Sequence, residues 1–277
     1  MDDFRIPLGD WGEDILAWML DALGGFFNVL RAVLTETYDA LVWALSTPPW
    51  WAITLIFAAL AWWIRSWKLA IGTVLGFVLI FGVNQWENAM STLALVLVAT
   101  VTAVIIAVPL GILAATSRTF SALIRPVLDF LQTMPPMVYL IPALVIFRVG
   151  VIPGMVATIL FSLAPGVRFT ELGIRRVDRE VVEAGEAFGA SRWRILRQVQ
   201  LPLALPTIMA GINQVIMLAL SMVVIAGMVG AGGLGGQVVG SLNRLDEGLG
   251  FEAGISVVIL AIFLDRLTSF AGKDKTT

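Results

Sequence analysis

The chain has no cysteine, no histidine and only three lysines, Lys68, Lys273 and Lys275, among 277 residues. Without cysteine there is no disulfide framework and no thiol nucleophile. Without histidine the commonest metal ligand and the commonest acid-base group are both missing. An enzyme reading therefore starts without its usual side chains, and neither a metal nor a cofactor is expected. Charge is scarce as well: Asp, Glu, Lys and Arg make up 14% of the chain, against about 25% in ordinary soluble domains. A formal net charge of -2 and the absence of lysine clusters exclude nucleic acid as an expected partner. No Gly-x-x-x-x-Gly-Lys-[Ser/Thr] loop occurs, so this chain does not bind ATP by that device. What remains is apolar: 58% hydrophobic residues and a mean hydropathy of +0.91 predict an all-α polytopic membrane protein.

Residues 1–47 open acidic, with Asp2, Asp3, Asp10, Glu13 and Asp14, and lack the positive leader and cleavage site of a signal peptide, so no processing is expected. From Ile15 the apolar residues recur at helical spacing, with Asp14, Asp21, Asn28, Arg31 and Thr35 between them. That pattern predicts an acidic amphipathic segment packed along the membrane surface or against other spans; the alternative is a poorly inserted first span. Pro48-Pro49 breaks the chain. Two accessory spans are predicted over 48–88: Trp50–Ile64, bracketed by Trp50, Trp51, Trp62 and Trp63, and 69–83, carrying Gly72-x-x-x-Gly76. After a polar turn at 84–88, five more spans are expected at about 89–115, 134–147, 149–167, 201–229 and 249–264, seven in all. Residues 117–132 read as a connection with room for an interfacial helix. Pro142, Pro153 and Pro165 remove backbone donors inside the third to fifth spans' region, where such irregularities need neighbours or a watery cavity. Those helices read as walls of a path. Asn213, Gln214 and Ser221 are the few polar groups of the sixth span.

The densest run of charge sits in 168–202. Asp178 suits an N-cap, Glu180 and Glu183 suit the first turns, and Gly189 suits a C′ stop, which predicts a short helix. Val181, Val182, Gly185 and Phe188 give it one apolar face, and the small Ala184 and Gly185 leave room for a partner surface. A second short helix is predicted from Ser191 through Arg197 until Pro202 marks the next span. The plain alternative is a solvated loop.

Glu183-Ala184-Gly185, then Gly189, Val199 and Leu201-Pro202, resembles the EAA motif of ATP-binding-cassette importer permeases, with Gly185 in place of the usual third Ala and Val199 in place of Ile. The resemblance implies that Glu183, Ala184, Gly185, Gly189, Leu201 and Pro202 couple the chain to a cytoplasmic ATPase subunit. A longer likeness runs from Thr92 through Leu267. TLALVLVATVTAVIIAVPLGILAA, RPVLDFLQTMPPMVYLIPAL, VQLPLALPTIMAGINQVIMLALSMVVIAGMVGAGGLG and ILAIFLDRLT are similar to the permease subunit of glycine betaine, proline betaine and choline importers. This implies a type I importer (MetI-like) permease core at 89–267, dimeric on ATPase subunits that bind the ATP, fed by an extracytoplasmic substrate-binding protein and serving osmoprotection in a bacterial cytoplasmic membrane. Residues 268–277 would then be a cytoplasmic tail. The substrate alternative is an amino acid such as methionine; a self-sufficient secondary carrier or an intramembrane enzyme are the other classes.

With 168–202 inside, strict alternation puts 14 of the 18 basic residues inside and leaves Arg5, Arg31, Arg148 and Arg244 outside. The N-terminus is therefore expected outside and the C-terminus inside. Three other signals are discounted. Gly230-x-Gly232-x-x-Gly235 follows a membrane helix instead of a strand and reads as a flexible turn. Asp129 and Glu252 lie near span boundaries, where an interfacial role competes with proton coupling. The ten tryptophans sit mostly at span ends, as a belt and not as a cage for a cation.

Overall fold

The computed structural model describes residues 7–268, and all regular structure among these is helical. Arg5, Lys273, Lys275 and the tail assigned to 268–277 fall outside the described residues, Thr268 excepted. The first element, α1 (Leu8–Ser46), is one helix of 39 residues, about 58 Å at 1.5 Å per residue. It starts a full two turns before the expected Ile15. Only Leu34 and Leu45 are buried, while Leu8, Trp11, Ile15, Trp18, Phe26, Val29 and Val33 stand exposed. Phe27 meets Phe147 edge-on at 5.8 Å.

A hairpin follows: α2 (Trp50–Ile64) and α3 (Trp67–Gly82), with Ser66 capping α3 through the Leu69 N–H. Trp50 stacks on Phe81 at 4.3 Å and Phe57 meets Phe77 at 5.4 Å, which sets an antiparallel register. At 15 and 16 residues these helices reach about 22–24 Å, short of the ~30 Å hydrocarbon thickness. The first has the bounds predicted for it and the second is one residue longer than predicted. Phe77 and Phe57 both lie 5.3 Å from Phe263, so the hairpin buttresses the last helix. Of the Gly72-x-x-x-Gly76 pair only Gly76 makes a close approach, to Ile259.

The core comprises α4 (Trp86–Thr116), α7 (Val151–Arg175), α10 (Leu201–Gly227) and α12 (Glu247–Thr268), with α7 packed between α4 and α10. Ala99, Ala103, Ala107, Gly111 and Ala114 give α4 a buried stripe of one small residue per turn. A Cβ built on Gly166 of α7 would lie 2.7 Å from the Ala107 Cβ, so the two backbones run in direct contact.

Between α4 and α7 the chain forms α5 (Arg118–Thr133), a 3-10 turn (Pro136–Tyr139) and α6 (Leu140–Phe147), bent by 108° at the break. The cause is local. Met134 and Pro135 each precede a proline and are held extended, at ψ 132 and 136, so no helix crosses that point. The fourth span predicted over 134–147 is thus one limb of a broken element whose other limb is α5.

An unforeseen helix, α11 (Gly233–Arg244), packs on α10, α12 and α4. The glycine turn before it, expected to be a flexible turn, is closely packed. Gly230 and Gly232 take φ of +84 and +69, Leu234 N–H donates to Thr92 Oγ1 at 2.8 Å, and a Cβ on Gly235 would sit 2.1 Å from the Val223 carbonyl. Among the described residues five helices are long and apolar enough to cross a membrane, or six with the bent pair, beside the shorter apolar α2 and α3, which is roughly compatible with the seven spans expected.

Candidate functional site

The charged segment begins later than the sequence indicates. Helix α7 continues through Arg175, so Arg168 to Arg175 are helical because Thr170, Glu171, Gly173 and Ile174 are buried against neighbours. Glu171 is the polar centre of this end of the bundle. Its carboxylate accepts from Ser121 Oγ at 2.7 Å, Arg125 Nη2 at 3.2 Å and Arg175 Nε at 2.9 Å. Arg175 also donates to the Ala114 carbonyl at 2.7 Å, one of the carbonyls left over at the end of α4. The Glu171 side chain is 7% exposed while Arg125 is 60% and Arg175 35% exposed, so a buried anion is neutralised by two partly solvated cations. Asp129 pairs with Arg168 beside it, around a cavity of about 360 Å³. Three helices, α4, α5 and α7, are tied here. Sequence reasoning missed Glu171; the available signal was a lone acid in an apolar run with Arg175 one turn on.

The next helix, α8 (Arg179–Ala187), forms as predicted. Asp178 Oδ1 accepts from the Glu180 N–H at 3.0 Å. Its far end closes with Gly189 N–H on the Glu186 carbonyl at 2.9 Å and Ala190 N–H on the Gly185 carbonyl at 3.1 Å. Gly189 has φ +76, which glycine adopts freely, so the two bonds that finish the helix are made without strain. Glu183 is exposed and accepts from Arg179 Nε at 2.8 Å.

The apolar face expected on α8 is divided. Gly185 leans on α9 (Arg192–Ile195), where a Cβ would stand 3.2 Å from Ile195 Cγ1, and Val182 lines a groove of about 520 Å³ whose far wall is Ile112, Thr116 and Ile174. Val181 and Phe188 point outward, Phe188 at 93% exposure, and Trp193 of α9 is 65% exposed. No residue of α8 is buried. The structure therefore leaves Phe188 and Trp193 uncovered next to Glu183, Ala184 and Gly189.

Leu201 and Pro202 lie elsewhere, at the base of α10. Pro202 does not end the second short helix. Ser191 caps α9 as predicted, but the chain then passes through one π turn (Leu196–Gln200) directly into α10. In that turn the Leu201 N–H reaches back five residues to the Leu196 carbonyl. The widened register takes up Pro202 without a break in the helix. Arg192 to Gly227 is consequently one continuous helical body of 36 residues.

Of the remaining polar candidates, Asn213 donates to Asp265 Oδ1 at 3.2 Å and accepts from Thr268 Oγ1 at 2.7 Å, joining α10 to the end of α12. Glu252 is half-buried in the second turn of α12. Nothing here pairs a nucleophile with a base, and among the described residues no group of three or more acidic side chains is placed to hold a metal.

A long small-residue core, a broken helix pair and an exposed capped helix between two spans define a transporter permease. The chain belongs to the family described as binding-protein-dependent transport system inner membrane component, whose sequence profile matches residues 107–273. It is a multi-pass inner-membrane protein. The glycine betaine transport system permease protein OpuAB of Bacillus subtilis (strain 168) is 47% identical over 264 residues, covering 95% of this chain and 94% of that one. The glycine betaine/proline betaine transport system permease protein ProW of Escherichia coli (strain K12) is 43% identical over 269 residues, covering 97% and 76%. Among solved structures, an inward-facing conformation of the MetNI methionine ABC transporter matches with a TM-score of 0.55 and 25% identity, over 65% of this chain and 89% of that one.

Proposed function

We propose that this chain is the membrane subunit of an ATP-driven importer of quaternary ammonium compatible solutes, with glycine betaine as substrate and proline betaine or choline as further candidates. The observation that carries the reading is 47% identity to a glycine betaine permease along 95% of the chain. The methionine alternative has support over 65% of the chain at 25% identity, and no observation favours it. The permease takes its solute from an extracytoplasmic binding protein and works on ATPase subunits that bind and hydrolyse the ATP. Two copies of the chain enclose the path.

In this reading α8 is the coupling helix. Glu183, Ala184 and Gly189 form the surface that meets the ATPase, Phe188 and Trp193 seat in its groove, and Gly185 holds α8 on α9. Leu201 and Pro202 join that unit to α10. An uncovered phenylalanine and tryptophan next to a membrane support a protein partner at this point. The ATPase end is then cytoplasmic, with the C-terminus inside and the N-terminus outside. Arg125, Arg168, Arg175, Arg192, Arg194 and Arg197 would all lie on that side, as the positive-inside rule requires.

The test is uptake of labelled glycine betaine into vesicles holding this chain, its ATPase and its binding protein. Wild-type uptake is expected to require ATP, and Gly189→Arg to insert normally but retain no ATPase and transport nothing. Uptake that persists without the ATPase would overturn the importer reading.

A further inference from the structure

Resting on the betaine-importer function proposed above, we infer that a cavity between α5, α7 and α10 is a transit site where the permease itself contacts the zwitterion. The cavity measures about 340 Å³ and is lined by Gln132, Phe161, Pro165, Phe169, Gln214 and Leu218. Four features fit it to a quaternary ammonium carboxylate.

First, the lining has two phenyl rings and no charged side chain, and aromatic faces attract a trimethylammonium group without the desolvation cost of a carboxylate. Phe161 is steadied by Tyr139, which meets it edge-on at 6.1 Å and is itself buried. Second, Pro165 stands inside α7 and has no N–H for the carbonyl of Phe161, four residues back. That leaves the carbonyl of Phe161, a residue that lines the cavity, without its usual helical donor. Third, Gln132 and Gln214 bring primary amides from different helices, and each carries two N–H donors for a carboxylate.

The fourth feature concerns where the cavity opens. Gln214 and Ser221 are both exposed and stand seven residues apart on one face of α10, the Ser221 hydroxyl donating to the Met217 carbonyl at 2.9 Å, while Asn213 is taken up by Asp265 and Thr268. A primary amide such as that of Gln214 in a membrane helix faces a partner or water, not lipid. The face that carries the cavity is therefore the path face of α10. A neutral zwitterion matches rings at one wall and amides at another, whereas a simple ion would find only half of the site useful.

The experiment uses the complete transporter in proteoliposomes and reads two quantities: uptake of labelled glycine betaine, and ATP hydrolysis stimulated by the loaded binding protein. Phe169→Leu and Gln214→Leu are expected to lower uptake at least tenfold while stimulated hydrolysis stays within twofold, and Phe169→Tyr to keep uptake. Because the chain has no cysteine, Gln214→Cys and Ser221→Cys provide single thiols. A water-soluble trimethylammonium thiosulfonate reagent is expected to label both and stop uptake, and to leave Leu75→Cys on the exposed side of α3 unaffected. Normal uptake in the ring and amide variants, or thiols at 214 and 221 that resist the reagent, overturns the site and leaves the importer standing. A wild-type transporter that carries no betaine overturns both. Should Phe169→Leu fail to assemble, the two cysteine variants decide.

Discussion

Helices α1 and α7 have similar mean hydropathy over their most apolar stretches, yet 72% of that stretch is buried in α7 and none of it in α1. Hydropathy marks what tolerates a membrane; side-chain size marks what belongs in the middle of a bundle. Helix α7 has Gly154, Ala157, Ala164 and Gly166 where α4 and α10 come close, and it is covered on both sides. Helix α1 has Trp11, Trp18, Phe26 and Phe27 instead, and an unbroken polar stripe of Asp14, Asp21, Asn28 and Thr35 at seven-residue spacing. Bulky apolar residues beside acids favour a surface where lipid meets water over a helix interface.

The comparison breaks most sharply under one substitution made in both helices. Gly166→Leu drives a side chain into Ala107 and Val215, and loss of the folded, detergent-stable permease is the expected result, read by size-exclusion chromatography. Gly24→Leu, where nothing lies within 4 Å, is expected to leave the elution profile unchanged.

A smaller effect tests the polar knot at the end of α7. Glu171→Gln keeps the Ser121 bond and removes both ion pairs, at an expected cost of about 1–2 kcal/mol after allowing for the exposure of the two arginines. Thermal unfolding in detergent measures it, and Arg175→Ala should show a non-additive pairing with Glu171→Ala. No coupling between the two would mean that the cluster is only a surface arrangement.

Next comes the cap of α8. Asp178→Ala is expected to cost that helix about 1 kcal/mol and to speed limited proteolysis between α7 and α9 without unfolding the core. Gly24→Ala is the smallest effect and opposite in sign to Gly166→Ala: α1 should gain about 0.5–1 kcal/mol, seen as slower amide exchange in that helix alone.

Much of this was legible in the residues. The all-helical membrane class follows from composition, and Asp178, Gly189 and Ser191 announced their caps because an N-cap depends on one side chain and the next three residues, and a glycine stop on one backbone conformation and the turn before it. The transporter family was legible too, from motif spacing and long apolar likeness. The sequence was silent where two distant stretches decide the outcome. Nothing local to Glu171 reveals that Ser121 and Arg125 close over it, and nothing in Gly230 to Gly235 reveals Thr92 and Val223 waiting on either side. The proline pair at 135–136 was read as a boundary, but that it folds α5 back to make a bent element depends on what α7 offers as support. Pro202 misled for a similar reason, because a breaker is silent when the preceding turn widens by one residue.

That widened turn has a mechanical consequence. Helical throughout from Arg192 to Gly227, through both Pro202 and Pro206, the segment is a lever whose short arm is α9 and whose long arm includes Gln214 and Ser221. Gln214 stands 22 residues beyond Arg192, about 33 Å along the axis. A tilt of roughly five degrees applied at α9 would sweep Gln214 sideways by about 3 Å, the length of a hydrogen bond. A flexible loop at Leu196 to Gln200 would absorb such a tilt; a continuous helix delivers it as displacement.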